Sequence, residues 1–211
     1  MSRDHVLHRI RTALGRSAGQ EAPPPPPARI RIPEVDVEAR IASLLEKVEA
    51  LAGKTYRAAS LEDACRYVCT AIAGKTAIAS NAAYLEQCGI TSLPGVRSGV
   101  TSKDELRELC ATCDIGITSA DYALADTGTL VMISSPQEAR MVSLLPPAHI
   151  AVVPRDRILT GLDELFSLLP HPAEQTSSMV LITGPSRTAD IEQILVRGVH
   201  GPGQIHVVVV G

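Results

Sequence analysis

The residues best placed to do chemistry fall in two short turns. Met179-Val-Leu-Ile-Thr183 reads as a strand, and Gly184-Pro-Ser-Arg-Thr-Ala-Asp-Ile-Glu192 as the turn and helix that leave it. Gly184 permits close backbone approach, Pro185 fixes a turn without needing a donor, and Ser186 or Thr188 can cap the helix that follows. Arg187 adds a permanent cation beside backbone amides already suited to an anion, so a carboxylate or phosphate would fit there. The same residues also make an ordinary strand-to-helix turn with a good cap and a surface arginine. Physics alone leaves both readings open.

The second turn is Ala125-Asp126-Thr127-Gly128-Thr129, just ahead of another strand. Only about eight residues, Ala120 to Thr127, separate it from the strand ending at Ser119, and a parallel crossover needs about a dozen or more. The two strands are therefore expected to be antiparallel or not adjacent. In the antiparallel case Asp126 lies at the sheet edge where the earlier strand exits, and it could approach Arg187. The competing reading is an Asp-Thr-Gly turn whose side chains satisfy its own backbone. Asp-Thr-Gly-Thr is also the local signature of aspartic proteases. Their chemistry needs two such carboxylates sharing a proton, and this chain has one copy in an α/β setting.

Other residues give weaker signals. Cys110-Ala-Thr-Cys113 is a lone C-x-x-C, and Cys65 and Cys69 sit one helical turn apart. Without a second C-x-x-C or a cluster-type run, neither a structural zinc nor an iron–sulfur cluster is indicated, and the thiols read as small core residues. His200, within Gly198-Val-His-Gly-Pro202, reads as a loop histidine at the edge opposite the usual site. Arg140 is a lesser anion-binding candidate, and His149, heading a buried strand, reads as a core histidine.

The elements that must position these turns alternate between helical and extended patterns. Val37, Ile41, Leu44, Leu45, Val48 and Leu51 make a helical stripe, and Ser60 with Asp63 opens a helix carrying Leu61, Ala64, Val68 and Ile72. Ser102 with Glu105 forms a capping box, and Thr160 with Asp163 begins a helix whose Leu162, Leu165, Phe166 and Leu169 are expected to face inward. Between them lie Thr76–Ser80, Ile115–Ser119, Thr129–Ser134, His149–Pro154, Ser178–Thr183 and Ile205–Val210. Continuous apolar runs of this kind predict strands buried on both faces. The fold class is α/β, a three-layer α/β/α domain.

Composition narrows the function classes. Of 211 residues 45% are hydrophobic, yet Phe166 and four Tyr are the only aromatics, so the core must be aliphatic. No apolar run approaches the roughly 20 residues that span a bilayer, and the N-terminus lacks the apolar stretch of a secretory signal. Five cysteines without a regular framework point to a reducing, cytoplasmic setting. A net charge of −3 gives no general attraction to phosphate backbones, so nucleic acid is not an expected partner. Residues 1–31 carry six Arg against Asp4 and Glu21, a balance of +4 that leaves −7 on the rest. Within them Val6, Leu7, Ile10 and Leu14 share one helical face, and Pro23 to Pro27 follow as a stiff polyproline run. The expected organisation is an N-terminal amphipathic helix over 1–21, a Pro-rich linker over 22–33 and an α/β domain over 34–211. That helix could pack on its own domain, join a second copy into an oligomer, enter a partner's groove or rest on a membrane surface.

Three separated motifs then resemble a known family. Thr118-Ser-Ala-Asp-Tyr-Ala-Leu-Ala-Asp-Thr-Gly-Thr-Leu130, Arg140-Met-Val-Ser-Leu-Leu-Pro146 with His149-Ile150, and Thr183 to Glu192 with Gly198 to Pro202 resemble the lactate utilisation (LUD) domain family in the right order. Ile10-Arg-Thr-Ala-Leu-Gly15 is similar to that family's N-terminal helix, so the likeness spans nearly the whole chain. It is weakest at the proline run and over residues 80–100. The resemblance implies a fold similar to the phosphosugar isomerase and CoA-transferase superfamily, with a mixed, mostly parallel sheet between helices. It implies a bacterial three-protein system that oxidises L-lactate to pyruvate, in which iron–sulfur clusters sit on the two partner proteins and this chain has no cofactor of its own. Carried over position by position, it gives Asp126, Thr127, Gly128, Thr129, Gly184, Pro185, Ser186, Arg187, Thr188, Asp190 and Glu192 as site candidates for a small anionic ligand. No catalytic role comes with them. On the leading reading Arg187 and the Gly184–Thr188 amides hold the carboxylate of lactate or pyruvate, while Asp126 or Glu192 orients its hydroxyl. The alternatives are an independent enzyme acting on a CoA thioester or sugar phosphate, with Glu192 or Asp126 as nucleophile or base, and a pure scaffold.

Overall fold

The structure is a computed structural model that describes residues 2–17, 19, 32–189 and 195–211. The chain forms two units, Met1–Arg31 and Ile32–Gly211. In the first, α1 (Arg3–Ala13) is capped by Ser2, whose side chain accepts from the His5 backbone, and it buries none of its residues. Val6, Ile10 and Leu14 are exposed on it. The proline run, with most of the expected linker, lies outside the described residues.

The second unit begins with α2 (Val37–Ala50), where Asp36 accepts from the Ala39 N–H at 3.0 Å and the stripe Ile41, Leu44 and Val48 is buried. Next come β1 (Lys54–Ala58), α3 (Leu61–Ala71), β2 (Ala77–Ala79), α4 (Ala83–Gln87), β3 (Val96–Arg97), α5 (Lys103–Thr112) and β4 (Ile115–Ser119). Ser60 and Ser102 cap α3 and α5 by accepting from the N–H three residues on, as the capping patterns predict. The chain continues through β5 (Tyr122–Leu124), β6 (Thr129–Ile133), α6 (Arg140–Leu144), β7 (Ala148–Pro154), β8 (Ile158–Leu159), α7 (Leu162–Leu168) and α8 (Pro172–Gln175). It ends with β9 (Met179–Thr183), β10 (Arg187–Ala189), β11 (Leu195–Arg197) and β12 (Gln204–Val210).

Six strands make the main sheet in the order β1-β12-β7-β4-β2-β3, and every pair in it is parallel. One face buries Ala64, Val68 and Ile72 of α3 and Leu85 of α4 against Ile117, Ile150 and Val208. The other face is covered in two parts. Ile41, Leu44 and Val48 of α2 pack with Ala123, Leu130 and Met132 over Ala151, Val153 and Val207, while Cys110 and Val142 cover Ile78. Valine and isoleucine supply these thin contacts, as the scarcity of aromatics requires.

The antiparallel character lies in a second sheet, ordered β8-β5-β6-β9. The apolar runs at Thr129–Ser134 and Ser178–Thr183 belong there and not in the main sheet, because the chain leaves β4 at Ala120-Asp121 and folds into a β5–β6 hairpin. β9 pairs antiparallel with β6 and is half-exposed. In α7 only Leu165 is buried; Leu162 and Phe166 are 42% and 40% exposed, against the expectation that they face inward. The helix is only seven residues long, and Leu165 alone packs into the cluster with Leu124, Val131 and Leu159.

Candidate functional site

The antiparallel register of β6 and β9 sets Thr129 opposite Thr183 and so brings the two sequence-predicted turns side by side. Hydroxyls link them: Thr127 Oγ1 donates to Asp126 Oδ1 at 3.1 Å and lies 2.8 Å from Thr129 Oγ1, which lies 2.8 Å from Thr183 Oγ1. Both glycines are held against the end of α2. Gly128, at φ +68°, would place a Cβ 2.8 Å from Lys47 Cβ and 2.9 Å from the Val48 nitrogen. Gly184, at φ +77°, would place one 2.9 Å from Leu51 Cβ. Arg187 donates through Nη2 to the carbonyl of Leu51, the C-cap of α2, where a cation meets the negative end of the helix dipole.

Several expectations for this region change. Arg187–Ala189 is strand β10, paired with β11 through Arg187↔Arg197, Thr188↔Val196 and Ala189↔Leu195, so Ser186 and Thr188 stand at a hairpin and not at a helix N-terminus. Pro185 is buried, and the Ser186 N–H donates to Pro202 O at 2.9 Å. Asp126 is not at the exit of β4, because β4 and β6 lie in different sheets. It is exposed, its N–H donates to Thr160 O at 3.1 Å, and its Oδ2 lies where a Cβ on Gly161 would be 2.5 Å away. Asp190 and Glu192 lie outside the described residues.

A second place follows from the strand order. From β2 the chain moves to β3 on one side, then returns to β4 on the other, so the connections leaving β2 and β4 diverge. That is a topological switch point, where open α/β sheets leave a crevice at the carboxyl ends of their strands. Ser80 and Asn81 follow β2 there, and Ala120 and Asp121 follow β4. The segment between β6 and α6 crosses above them, tied by the Asn81 N–H donating to Gln137 O at 2.9 Å.

This segment carries Glu138. Its side chain is buried; Oε2 accepts from Ser80 Oγ at 2.8 Å, while Oε1 has no partner among the described residues. Burial pushes its carboxyl up to about 8, and the Asp121 charge adds to the rise against the lowering bond from Ser80. Asp121 is itself raised by burial, with the Ile133 N–H donating to its Oδ2 at 2.6 Å. Two residues beyond Glu138, Arg140 opens α6. With Lys103, Ser134 and Ser135 it lines an open cleft of about 560 Å³. A second cleft of about 350 Å³ is lined by Asn81, Glu86, Gly99 and Thr101. The cleft beside α6 therefore brings Lys103 and Arg140 together with the hydroxyls of Ser134 and Ser135 and the apolar side chains of Met141, Leu144 and Leu145.

The histidines behave as core and loop groups. His149 is fully buried with Nε2 2.7 Å from Thr118 Oγ1, and burial holds it down at about 4; its Nδ1 has no partner among the described residues. His200 is exposed in the loop before β12. The five cysteines are unpaired, with Cys88, Cys110 and Cys113 buried, Cys65 partly buried and Cys69 exposed.

Arg140 was legible in the sequence as a lesser candidate, whereas Ser80, Asn81 and Glu138 gave no signal. Ser134-Ser-Pro-Gln-Glu-Ala139 has the composition of a solvated loop, and only the strand order shows that it crosses the switch point.

The α/β architecture is that of a known class. The LUD domain family matches residues 41–210, and the chain belongs to that family. Lactate utilization protein C of Exiguobacterium sp. (strain ATCC BAA-1283 / AT1b) is 31% identical over 222 residues, covering 99% of this chain and 96% of that protein. Lactate utilization protein C of Halalkalibacterium halodurans is 37% identical over 150 residues, 67% of this chain and 65% of that protein. A solved DUF162 family protein from Deinococcus radiodurans superposes with a TM-score of 0.63 at 18% identity, covering 84% of this chain and 100% of that one, which establishes the shared fold. Among the described residues no helix is long and apolar enough to cross a membrane.

Proposed function

We propose that this chain works in lactate utilisation as a substrate-handling protein that carries no cluster of its own, beside partners that hold iron–sulfur clusters. In this reading it binds a small carboxylate in the crevice at the ends of β2 and β4. The observation that carries the role is the near-full-length likeness to a protein named lactate utilization protein C. The crevice supports the ligand class. Arg140 and Lys103 supply positive charge, and Arg suits a carboxylate through paired N–H donors. Oxidising L-lactate to pyruvate releases two electrons and two protons, and the partners' clusters would take the electrons while this chain binds and orients the acid.

Affinity purification of the tagged chain from lactate-grown host cells tests the role. Recovery of cysteine-rich iron–sulfur proteins is the expected result. Recovery of the chain alone, together with tight binding of CoA or a sugar phosphate by the pure protein, would contradict it and favour an independent enzyme.

A further inference from the structure

The cleft beside α6 is much larger than a three-carbon acid. Its volume is about 560 Å³, a size that suits far bulkier ligands. L-Lactate has six non-hydrogen atoms, and even at a water's share of about 30 Å³ for each it fills no more than about a third of that space.

The lining defines what fills the remainder. Arg140 and Leu144 are four residues apart on α6, and Met141 and Leu145 make the neighbouring pair, so two rows lie side by side on one face of the helix. All four residues line the cleft. Each row advances about 6 Å along the axis at about 1.5 Å per residue, from a cation at Arg140 to aliphatic side chains at Leu144 and Leu145. Met141 and Leu144 are partly buried, whereas Leu145 is 49% exposed. Among the described residues neither Lys103 nor Arg140 enters an ion pair. Uncompensated positive charge and uncovered aliphatic surface thus share one cleft, and a molecule that matches both carries a carboxylate and a saturated tail.

We infer that this cleft holds an aliphatic 2-hydroxy acid longer than lactate, its carboxylate toward Lys103 and Arg140 and its chain along Met141, Leu144 and Leu145. This rests on the carboxylate reading of the crevice and adds the length of the acid. An extended chain advances about 3.5 Å in three bonds, so the 6 Å row accommodates about five, the length of a six-carbon acid.

The test is the affinity of the full chain for L-lactate, L-2-hydroxybutyrate, L-2-hydroxyhexanoate and L-2-hydroxyoctanoate, by calorimetry at neutral pH. Affinity is expected to rise about twofold for each added methylene, half the free energy of full burial because the cleft is open. The six-carbon acid should bind about eightfold tighter than L-lactate, and the eight-carbon acid no tighter than the six-carbon one. Leu145→Ser should lose most of that eightfold gain, whereas Lys103→Ser should weaken every acid by about fivefold and keep the gain. Equal affinity for all four acids, or a full gain retained in Leu145→Ser, would overturn the chain-length inference alone. A dimer of the unaltered chain that becomes monomeric in Leu145→Ser would give the apolar surface to a second copy and overturn it too. Failure of the unaltered chain to bind any of the acids would overturn the carboxylate reading as well.

Discussion

At the residue scale, the two motifs that stand out in the sequence and the crevice that stands out in the structure are different places. Gly128, Gly184 and Arg187 are each accounted for by the end of α2, which presses on both glycines and offers the Leu51 carbonyl to the guanidinium. Arg187→Ala is therefore expected to cost about 1 kcal/mol of stability, the usual worth of such a bond at a helix end, and to leave carboxylate affinity unchanged. A urea titration and a calorimetric titration would check the two halves; a lost affinity would return Arg187 to the ligand site. Glu138 makes a prediction with a definite sign. Its carboxyl holds its proton more tightly folded than unfolded, so its contribution to stability is full below about 4.5 and declines as pH rises toward 8. His149 and His206 act oppositely. Both are held down to about 4 by burial, so their contribution is present above about 6.5 and lost as pH falls toward 4. The urea midpoint of the unaltered chain should fall between about pH 6.5 and about pH 8.5, whereas that of Glu138→Gln should not, and the acid-side decline should survive in both. A persistent alkaline decline in Glu138→Gln would assign it to another group.

At the element scale, most of the main sheet and its helices were legible from patterns. The stripe of α2, the caps of α3 and α5, and the apolar runs of β2, β4, β7 and β12 all appear where their residues predict them. β1 was missed because Lys54-Thr-Tyr-Arg-Ala58 is an edge strand with a mostly open face, which gives no continuous apolar run. β6 has the composition of a central parallel strand because α2, α7 and the main sheet bury it, yet it lies with β9 in the second sheet, not adjacent to β4. The helix expected after Gly184 was replaced by a hairpin, a pairing that depends on β11 and has no local signature. One close approach does have a sequence trace. Gly116 lies in β4 where α6 crosses, and a Cβ there would fall 1.8 Å from the Val142 carbonyl oxygen. Gly116→Ala must push α6 off the sheet, at a cost of about 3 kcal/mol, the upper end for overpacking. Because α6 begins with Arg140, the same variant should weaken carboxylate binding. A stable Gly116→Ala protein with full affinity would show that α6 does not position the site.

At the scale of the whole molecule, the chain joins a short basic helix to an α/β unit that has its own core. α1 buries no residue, so removing residues 1–31 should leave the unfolding free energy of the remaining unit, read by urea titration, unchanged within about 0.5 kcal/mol. A larger drop would mean that the first unit is part of the second unit's core. Family membership came from motifs scattered over the whole chain, but the position of the crevice required the strand order β7-β4-β2-β3, which no local pattern encodes. The most direct measurement is lactate-dependent growth of host cells lacking this chain, complemented with Arg140→Ala or with Arg187→Ala at matched protein levels. We expect Arg140→Ala to abolish growth on lactate and Arg187→Ala to sustain it. Growth at the unaltered rate with Arg140→Ala would contradict the assignment of the crevice as the working site of this lactate-utilisation protein.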